Sequence, residues 1–190
     1  MLDEIVEYAK RERVPIMLPD GIDFLCEYIK DNNIKNILEI GSAIGYSSIR
    51  MALVDSDIKI TTIEKDENRY NEAVSNINKM GLESRINIIL DDALNTEING
   101  MYDLIFIDAS KGNNINFFNK YKSNLTSGGV IITDNLSFHG LVEDENLVKT
   151  KNQRGIVNKI KNFISFLDNN IEFDTEYIMV GDKISISKRK

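Results

Sequence analysis

The stretch Asn36-Ile-Leu-Glu-Ile-Gly-Ser-Ala-Ile-Gly-Tyr-Ser47 changes character midway. Its first half is a branched apolar run of strand length. Gly41 and Gly45 then punctuate the chain, and from Tyr46 to Val54 the apolar residues recur at helical spacing. Strand, glycine turn and helix in immediate succession form the opening unit of an α/β sheet.

Working outward, the alternation continues. Ile58–Ile63 reads as a strand and Glu67–Met80 as a helix stopped by Gly81. Arg85–Leu90 and Tyr102–Ile107 read as strands, Asn114–Lys122 as a helix and Gly129–Thr133 as a fifth strand. A longer helix is expected over Arg154–Leu167, with Ile156, Ile160, Phe163, Ile164 and Leu167 on its buried face. Strands Glu172–Val180 and Lys183–Ser187 follow, with only Gly181-Asp182 between them, which demands an antiparallel pair. Upstream, Val14-Pro-Ile-Met-Leu-Pro19 reads as an extended connector, and Asp20 is expected to cap a helix carrying Ile22, Leu25, Tyr28 and Ile29. The fold class is therefore α/β: a seven-stranded, mostly parallel sheet with an antiparallel C-terminal hairpin and helices on both faces. No linker or repeat breaks residues 1–190, so one domain is expected, with residues 1–35 supplying N-terminal helices and a lid segment.

Bulk composition excludes several classes. No apolar run approaches the ~20 residues that span a bilayer, and the charged N-terminal segment has no signal-peptide core, so no membrane partner is expected. One cysteine, Cys26, rules out an internal disulfide framework and fits a cytoplasmic setting; on a helix's apolar side it reads as packing. The net charge of −7 argues against nucleic-acid binding by bulk electrostatics but leaves local patches open, at Lys149, Lys151 and Arg154 and at Lys188-Arg189-Lys190. A homodimer is expected if the N-terminal stripe Leu2, Ile5, Val6, Ala9 pairs with a second copy; packing within its own chain is the alternative.

In such sheets ligands gather beyond the carboxyl ends of the strands. The loop after the first strand, Glu39-x-Gly41-x-x-x-Gly45, lacks the middle glycine that lets a pyrophosphate approach, because Ala43 stands there. It suits a cofactor without phosphate. Glu64 ends the second strand, where an acid accepts ribose hydroxyls, and Asp91-Asp92-Ala93 ends the third, where an acid and backbone amides frame an adenine. Together these indicate S-adenosylmethionine; the bland alternative is that the glycines only turn the chain and Glu64 is a surface acid.

Two further strands end in oxygen donors. Tyr102–Asp108 finishes on a carboxylate and Gly129–Asn135 on a carboxylate beside a carboxamide. If the strands are neighbours, Asp108, Asp134 and Asn135 converge as a set suited to a hard cation, Mg²⁺ or Ca²⁺, rather than zinc. The alternative is that Asp134 and Asn135 merely cap a turn. A metal there lowers the pKa of a substrate hydroxyl, and Lys111 is near enough in sequence to act as base or charge stabiliser. His139, the only histidine, lies just past Asn135; metal ligation and peripheral substrate contact are both open to it, and the sequence assigns it no role.

The segments LEIGSAIGYSS, TTIEKD, DDA, IDASKG and GVIITDN, covering most of Ile37–Asn135, resemble the cation-dependent O-methyltransferase family, which includes catechol and caffeoyl-coenzyme A O-methyltransferases. The resemblance implies a Rossmann-like class I methyltransferase fold, with Glu64 on the ribose and Asp92 and Ala93 flanking the adenine. It also implies that Gly41 and Ser47 line the methionine end, with Met17 in a segment closing over the cofactor. Asp108 would contribute to both cofactor and metal, with Mg²⁺ held by Asp108, Asp134 and Asn135 and catalysis shared by Asp108 and Lys111. Within the family the chain looks most like bacterial members that methylate 5-hydroxyuridine at the tRNA wobble position, on the basis of RERVPIM, YSSIRMA and GLVEDENLVKTKNQRG. In that reading tRNA is the partner, and Lys149, Lys151 and Arg154 take phosphates. The alternatives are a small-molecule O-methyltransferase acting on catechol-like or coenzyme A-linked phenols, and a binding module without turnover.

Overall fold

A computed structural model describes residues 1–190. Seven strands form one sheet: β1 Asn36–Ile40, β2 Lys59–Glu64, β3 Ile86–Leu90, β4 Tyr102–Ile107, β5 Leu125–Thr133, β6 Phe173–Ile178 and β7 Ile184–Arg189. Their order is β3-β2-β1-β4-β5-β7-β6, with every pair parallel except β5–β7 and β6–β7. The order reverses between β1 and β4, so the Gly41 loop and Asp108 leave the sheet side by side.

Six helices cover the sheet: α1 Leu2–Glu12, α2 Pro19–Asp31, α3 Tyr46–Ala52, α4 Glu67–Lys79, α5 Asn114–Tyr121 and α6 Lys151–Asp168. One apolar cluster joins α1–α4 to one face through residues such as Ile5, Ile22, Ile49 and Ile77. A second joins α5 and α6 to the other through Phe117, Phe118, Ile160 and Phe163. Alternation along β1 feeds both layers, with Ile37 facing the first and Leu38 and Ile40 the second. The α1 stripe is used inside the chain: Ile5 and Ala9 are buried, and Leu2 and Val6 pack against the same cluster.

The structure departs from the sequence reading at several ends. Asp20 does not cap α2; Leu18 holds the N-cap position and Pro19 the first turn, where a missing N–H costs nothing. The Asp20 carboxylate instead accepts the N–H groups of Gly21 and Gly181, each at 3.1 Å. Strand β5 begins at Leu125, not Gly129, with a register shift opposite Tyr102–Leu104 that accommodates Gly128-Gly129. Helix α6 begins at Lys151, ahead of Arg154, because Thr150 and Gln153 form a reciprocal capping box. The final hairpin is looser than the expected two-residue turn. Its strands part from Met179 to Lys183, where Gly181 and Lys183 adopt φ of 57° and 66°. That opening frees Asp182 to reach the site.

Candidate active site

A cavity of about 380 Å³ opens at the carboxyl edge of β1, β2, β3, β4 and β5. Every residue assigned from the sequence to cofactor, metal or catalysis lines it: Met17, Gly41, Ser47, Glu64, Asp92, Ala93, Asp108, Lys111, Asp134 and Asn135; Lys149, Lys151 and Arg154 do not.

Gly41 has φ +96°, and a side chain there would bring its Cβ to 2.5 Å from the Asp108 carbonyl oxygen. The loop therefore lies directly on the backbone of the β4 end, an approach only glycine permits. Ala43, where a dinucleotide loop has glycine, also takes a left-handed φ of 46°. Glu64 holds it there: Oε2 accepts the Ala43 N–H at 2.8 Å, while Oε1 accepts the Lys65 and Asp66 N–H groups at 2.9 and 2.8 Å. Glu64 is thus a buried hub rather than a surface acid, and each oxygen retains acceptor capacity toward the cavity.

Under the loop lies Glu39, which is fully buried. It accepts hydroxyl hydrogen bonds from Ser47 at 2.5 Å, Thr62 at 2.6 Å and Ser48. Burial pushes its pKa from 4.5 up to about 7, against the lowering effect of those three donors. Glu39 anchors the helix carrying Ser47. The neighbouring Ser42 hydroxyl lines the cavity and is buried with no partner. At the third strand end, Asp91 Oδ1 accepts the Asp92 N–H at 2.8 Å and Asp92 Oδ1 the Leu94 N–H at 2.9 Å. The Tyr121 hydroxyl donates to the Ala93 carbonyl at 2.6 Å, fixing this wall. Met17 is buried and packs over Gly21, whose missing side chain leaves room for its Cε.

At the other end, β4 and β5 deliver their oxygens to one place. Lys111 Nζ lies 3.3 Å from Asp108 Oδ1 and 3.5 Å from the Asp134 carbonyl. The Asn135 amide nitrogen lies 3.3 Å from both Asp108 Oδ1 and Asp134 Oδ2. Asp134 is 2% exposed and its Oδ1 has no partner. Burial, and next the Asp108 charge, raise its pKa to about 7. A buried orphan carboxylate oxygen facing a second carboxylate calls for a cation. The donors are hard oxygens, and a half-turn of the Asn135 amide adds a third, so the set fits Mg²⁺-type coordination. No group of three His, Cys, Asp or Glu side chains is placed to hold a metal ion by itself, so the Asn135 oxygen is needed to complete the set.

The mouth is shaped by residues the linear reading did not assign. Asp182 is 6% exposed; its Oδ1 accepts the His139 N–H at 2.7 Å and its Oδ2 has no partner. Its backbone carbonyl accepts the Ser137 N–H at 2.9 Å. These bonds hold a segment in which Asn135, Phe138 and His139 all have positive φ. The His139 side chain is 72% exposed at the rim. Phe138 packs against the α5–α6 core, and Phe117 and Tyr46 supply the cavity's aromatic surface. Lys65, Arg69 and Asn113 complete the rim.

Comparison with known proteins agrees with this geometry. The chain is 33% identical over 193 residues to tapetum-specific methyltransferase 1 of Arabidopsis thaliana, covering 97% of this chain and 82% of that one. It is 31% identical to the caffeoyl-CoA O-methyltransferase of Stellaria longipes, covering 88% and 72%. A Staphylococcus aureus structure provisionally named a caffeoyl-CoA O-methyltransferase superposes with a TM-score of 0.95 at 35% identity, covering 100% and 92%. A Bacillus cereus O-methyltransferase solved with S-adenosylhomocysteine gives 0.85 at 27%, covering 100% and 90%. The O-methyltransferase family model matches residues 1–190. With that match over the full chain, and with a cofactor-sized cavity ending in an oxygen-donor cluster, the chain belongs to the cation-dependent, S-adenosylmethionine-using O-methyltransferase family.

Proposed function

We propose that the chain transfers a methyl group from S-adenosylmethionine to the 5-hydroxyl of 5-hydroxyuridine at the wobble position of tRNA, with Mg²⁺ as the cation. The observation that carries the reaction is one cavity joining the Gly41–Ser47 loop to Asp108, Lys111, Asp134 and Asn135. What favours a pyrimidine over a phenol is the polar mouth. Asn113, His139 and Asp182 offer hydrogen-bond partners to a ring with carbonyls and an N–H.

Glu64 accepts the ribose hydroxyls, Asp92 and Ala93 bracket the adenine, and Met17 shields the bound cofactor from water. Ser47 and the loop at Gly41 would hold the methionine end, in the same cavity as Asp108. A divalent cation held by Asp108, Asp134 and Asn135 supplies the Lewis acidity that favours an ionised acceptor oxygen. Lys111 would receive the hydroxyl proton and, as an ammonium, stabilise the oxyanion left behind. The acceptor oxygen then forms its bond to the methyl carbon as the carbon–sulfur bond breaks, giving a methyl ether and S-adenosylhomocysteine. Because that displacement is in line, orientation by these walls supplies much of the rate. An anticodon-loop base is already unpaired, so presenting it costs little.

A second reading has its own support. The names of the plant relatives point to caffeoyl-CoA-type phenols. The experiment offers the enzyme tRNA from cells lacking 5-methoxyuridine, a catechol panel and caffeoyl-CoA, each with Mg²⁺ and labelled methyl donor. Incorporation into the tRNA supports the proposal. Incorporation into a phenol or the thioester alone rejects it.

A further inference from the structure

About half of the basic side chains of this acidic protein are engaged in ion pairs. Lys35, Arg50, Lys111, Lys120, Lys122, Lys161, Lys183 and the three C-terminal cations all pair with carboxylates. The second basic cluster noted in the sequence, Lys188–Lys190, is therefore neutralised by Glu172, Asp174 and Glu176. The cluster at the start of α6 is not. Lys149, Lys151, Arg154 and Lys159 are exposed and form no ion pair. Glu145, whose charge Arg154 feels, is paired with Lys161 rather than with the cluster. Glu143 is bound by Lys183 and Ser137.

The topology puts these free cations beside the acceptor. Helix α6 feeds β6, which runs parallel to β5, so the first turns of α6 stand at the carboxyl edge of the sheet. Lys159 fixes the height: its Nζ would lie 3.0 Å from a Cβ on Gly112, in the loop between Asp108 and α5 that carries Lys111. Lys151 is eight residues earlier, so at 1.5 Å per residue α6 projects roughly 12 Å beyond that loop. The projecting turns carry Lys151, Arg154 and, just before them, Lys149.

We propose that this overhang is a docking surface for the sugar–phosphate backbone of the acceptor RNA. Lys159 grips the phosphate nearest the reacting nucleotide over Gly112, and Lys149, Lys151 and Arg154 hold the flanking phosphates. The proposal rests on the tRNA reading above and adds how an acidic protein would hold an acidic polymer: through a cluster of unpaired cations at the start of α6, beside the loop that carries Lys111. Such contacts position the substrate without reading its sequence.

The test compares K151E/R154E with K30E/K79E, which makes the same charge change at exposed, unpaired lysines elsewhere. Binding of the unmodified tRNA is measured by anisotropy across a salt series. Turnover is read as the ratio of kcat/KM on tRNA to kcat/KM on free 5-hydroxyuridine nucleoside. For K151E/R154E the expected results are a fall of about tenfold or more in that ratio and a salt slope shallower by about 0.7–0.9 per lost phosphate contact. The control should keep its ratio within about twofold, because generic repulsion is distance-screened. Equal losses in both variants, or an unchanged slope in K151E/R154E while tRNA is still methylated, overturn the docking surface alone. Turnover of a phenol with no measurable RNA binding overturns the surface and the tRNA reading together.

Discussion

Replacing Glu39 by glutamine should change how stability depends on pH. The carboxyl is fully buried and its pKa rises from 4.5 to about 7 on folding. Below about pH 4.5 both folded and unfolded chains carry the proton. Between there and about 7 the folded chain keeps a proton that the unfolded chain has lost, so stability falls as pH rises; above 7 the difference is constant. At about 1.4 kcal/mol per pKa unit the group costs on the order of 3 kcal/mol at pH 8 relative to pH 4.5. Glutamine removes that slope. Its oxygen and amide can still satisfy Ser47, Ser48 and Thr62, since hydroxyls rotate to donate or accept. For a chain of this size the gap corresponds to roughly 6–12 °C in Tm. The assay is thermal unfolding of wild type and Glu39→Gln in matched buffers from pH 4.5 to 8. The Tm of the variant minus that of the wild type should climb by that amount across the series. Contributions shared by both proteins, including Asp134, cancel in the difference. Parallel curves would refute the reasoning, because they mean that Glu39 keeps an ordinary pKa in the fold.

Gly41→Ala should cost on the order of 2 kcal/mol or more, since its Cβ meets the Asp108 carbonyl at 2.5 Å and φ is +96°. Calorimetry should also show weakened S-adenosylmethionine binding. Lys111→Ala should lower kcat far more than cofactor affinity and shift the pH–rate profile; unchanged kinetics remove it from the chemistry. Gly155→Ala should stabilise α6 by about 0.5–1 kcal/mol, because the glycine is exposed in a helix with nothing within 4 Å of an added Cβ. Chemical denaturation reads that gain directly.

The strand ends were legible because each apolar run stops on a residue whose chemistry has no use inside a core: Glu64, Asp92 beyond Leu90, Asp108 and Asp134. The sheet alternation that brings them together follows from the same runs. Ends governed by local chemistry were harder. The early start of α6 lay in Thr150-x-x-Gln153, a capping signal without an apolar residue. The placement of Pro19 at the first turn of α2 made Asp20 look like a cap when it serves a distant loop. Asp182 was not legible, since its partner His139 is 43 residues away and its exposure depends on how far the last hairpin opens. Glu39 was visible within the glycine motif, but its burial is set by three hydroxyls from two other elements.

The central claim is that Asp108, Asp134 and Asn135 hold the cation on which transfer depends. The most direct measurement is methyl transfer by chelator-treated enzyme, titrated with Mg²⁺, alongside Asp134→Ala and calorimetric binding of S-adenosylhomocysteine. Transfer should be lost in chelator by at least about a hundredfold and restored by Mg²⁺ in the wild type only, while the cofactor product still binds both proteins. Undiminished transfer in chelator, or full activity in Asp134→Ala, would contradict the account.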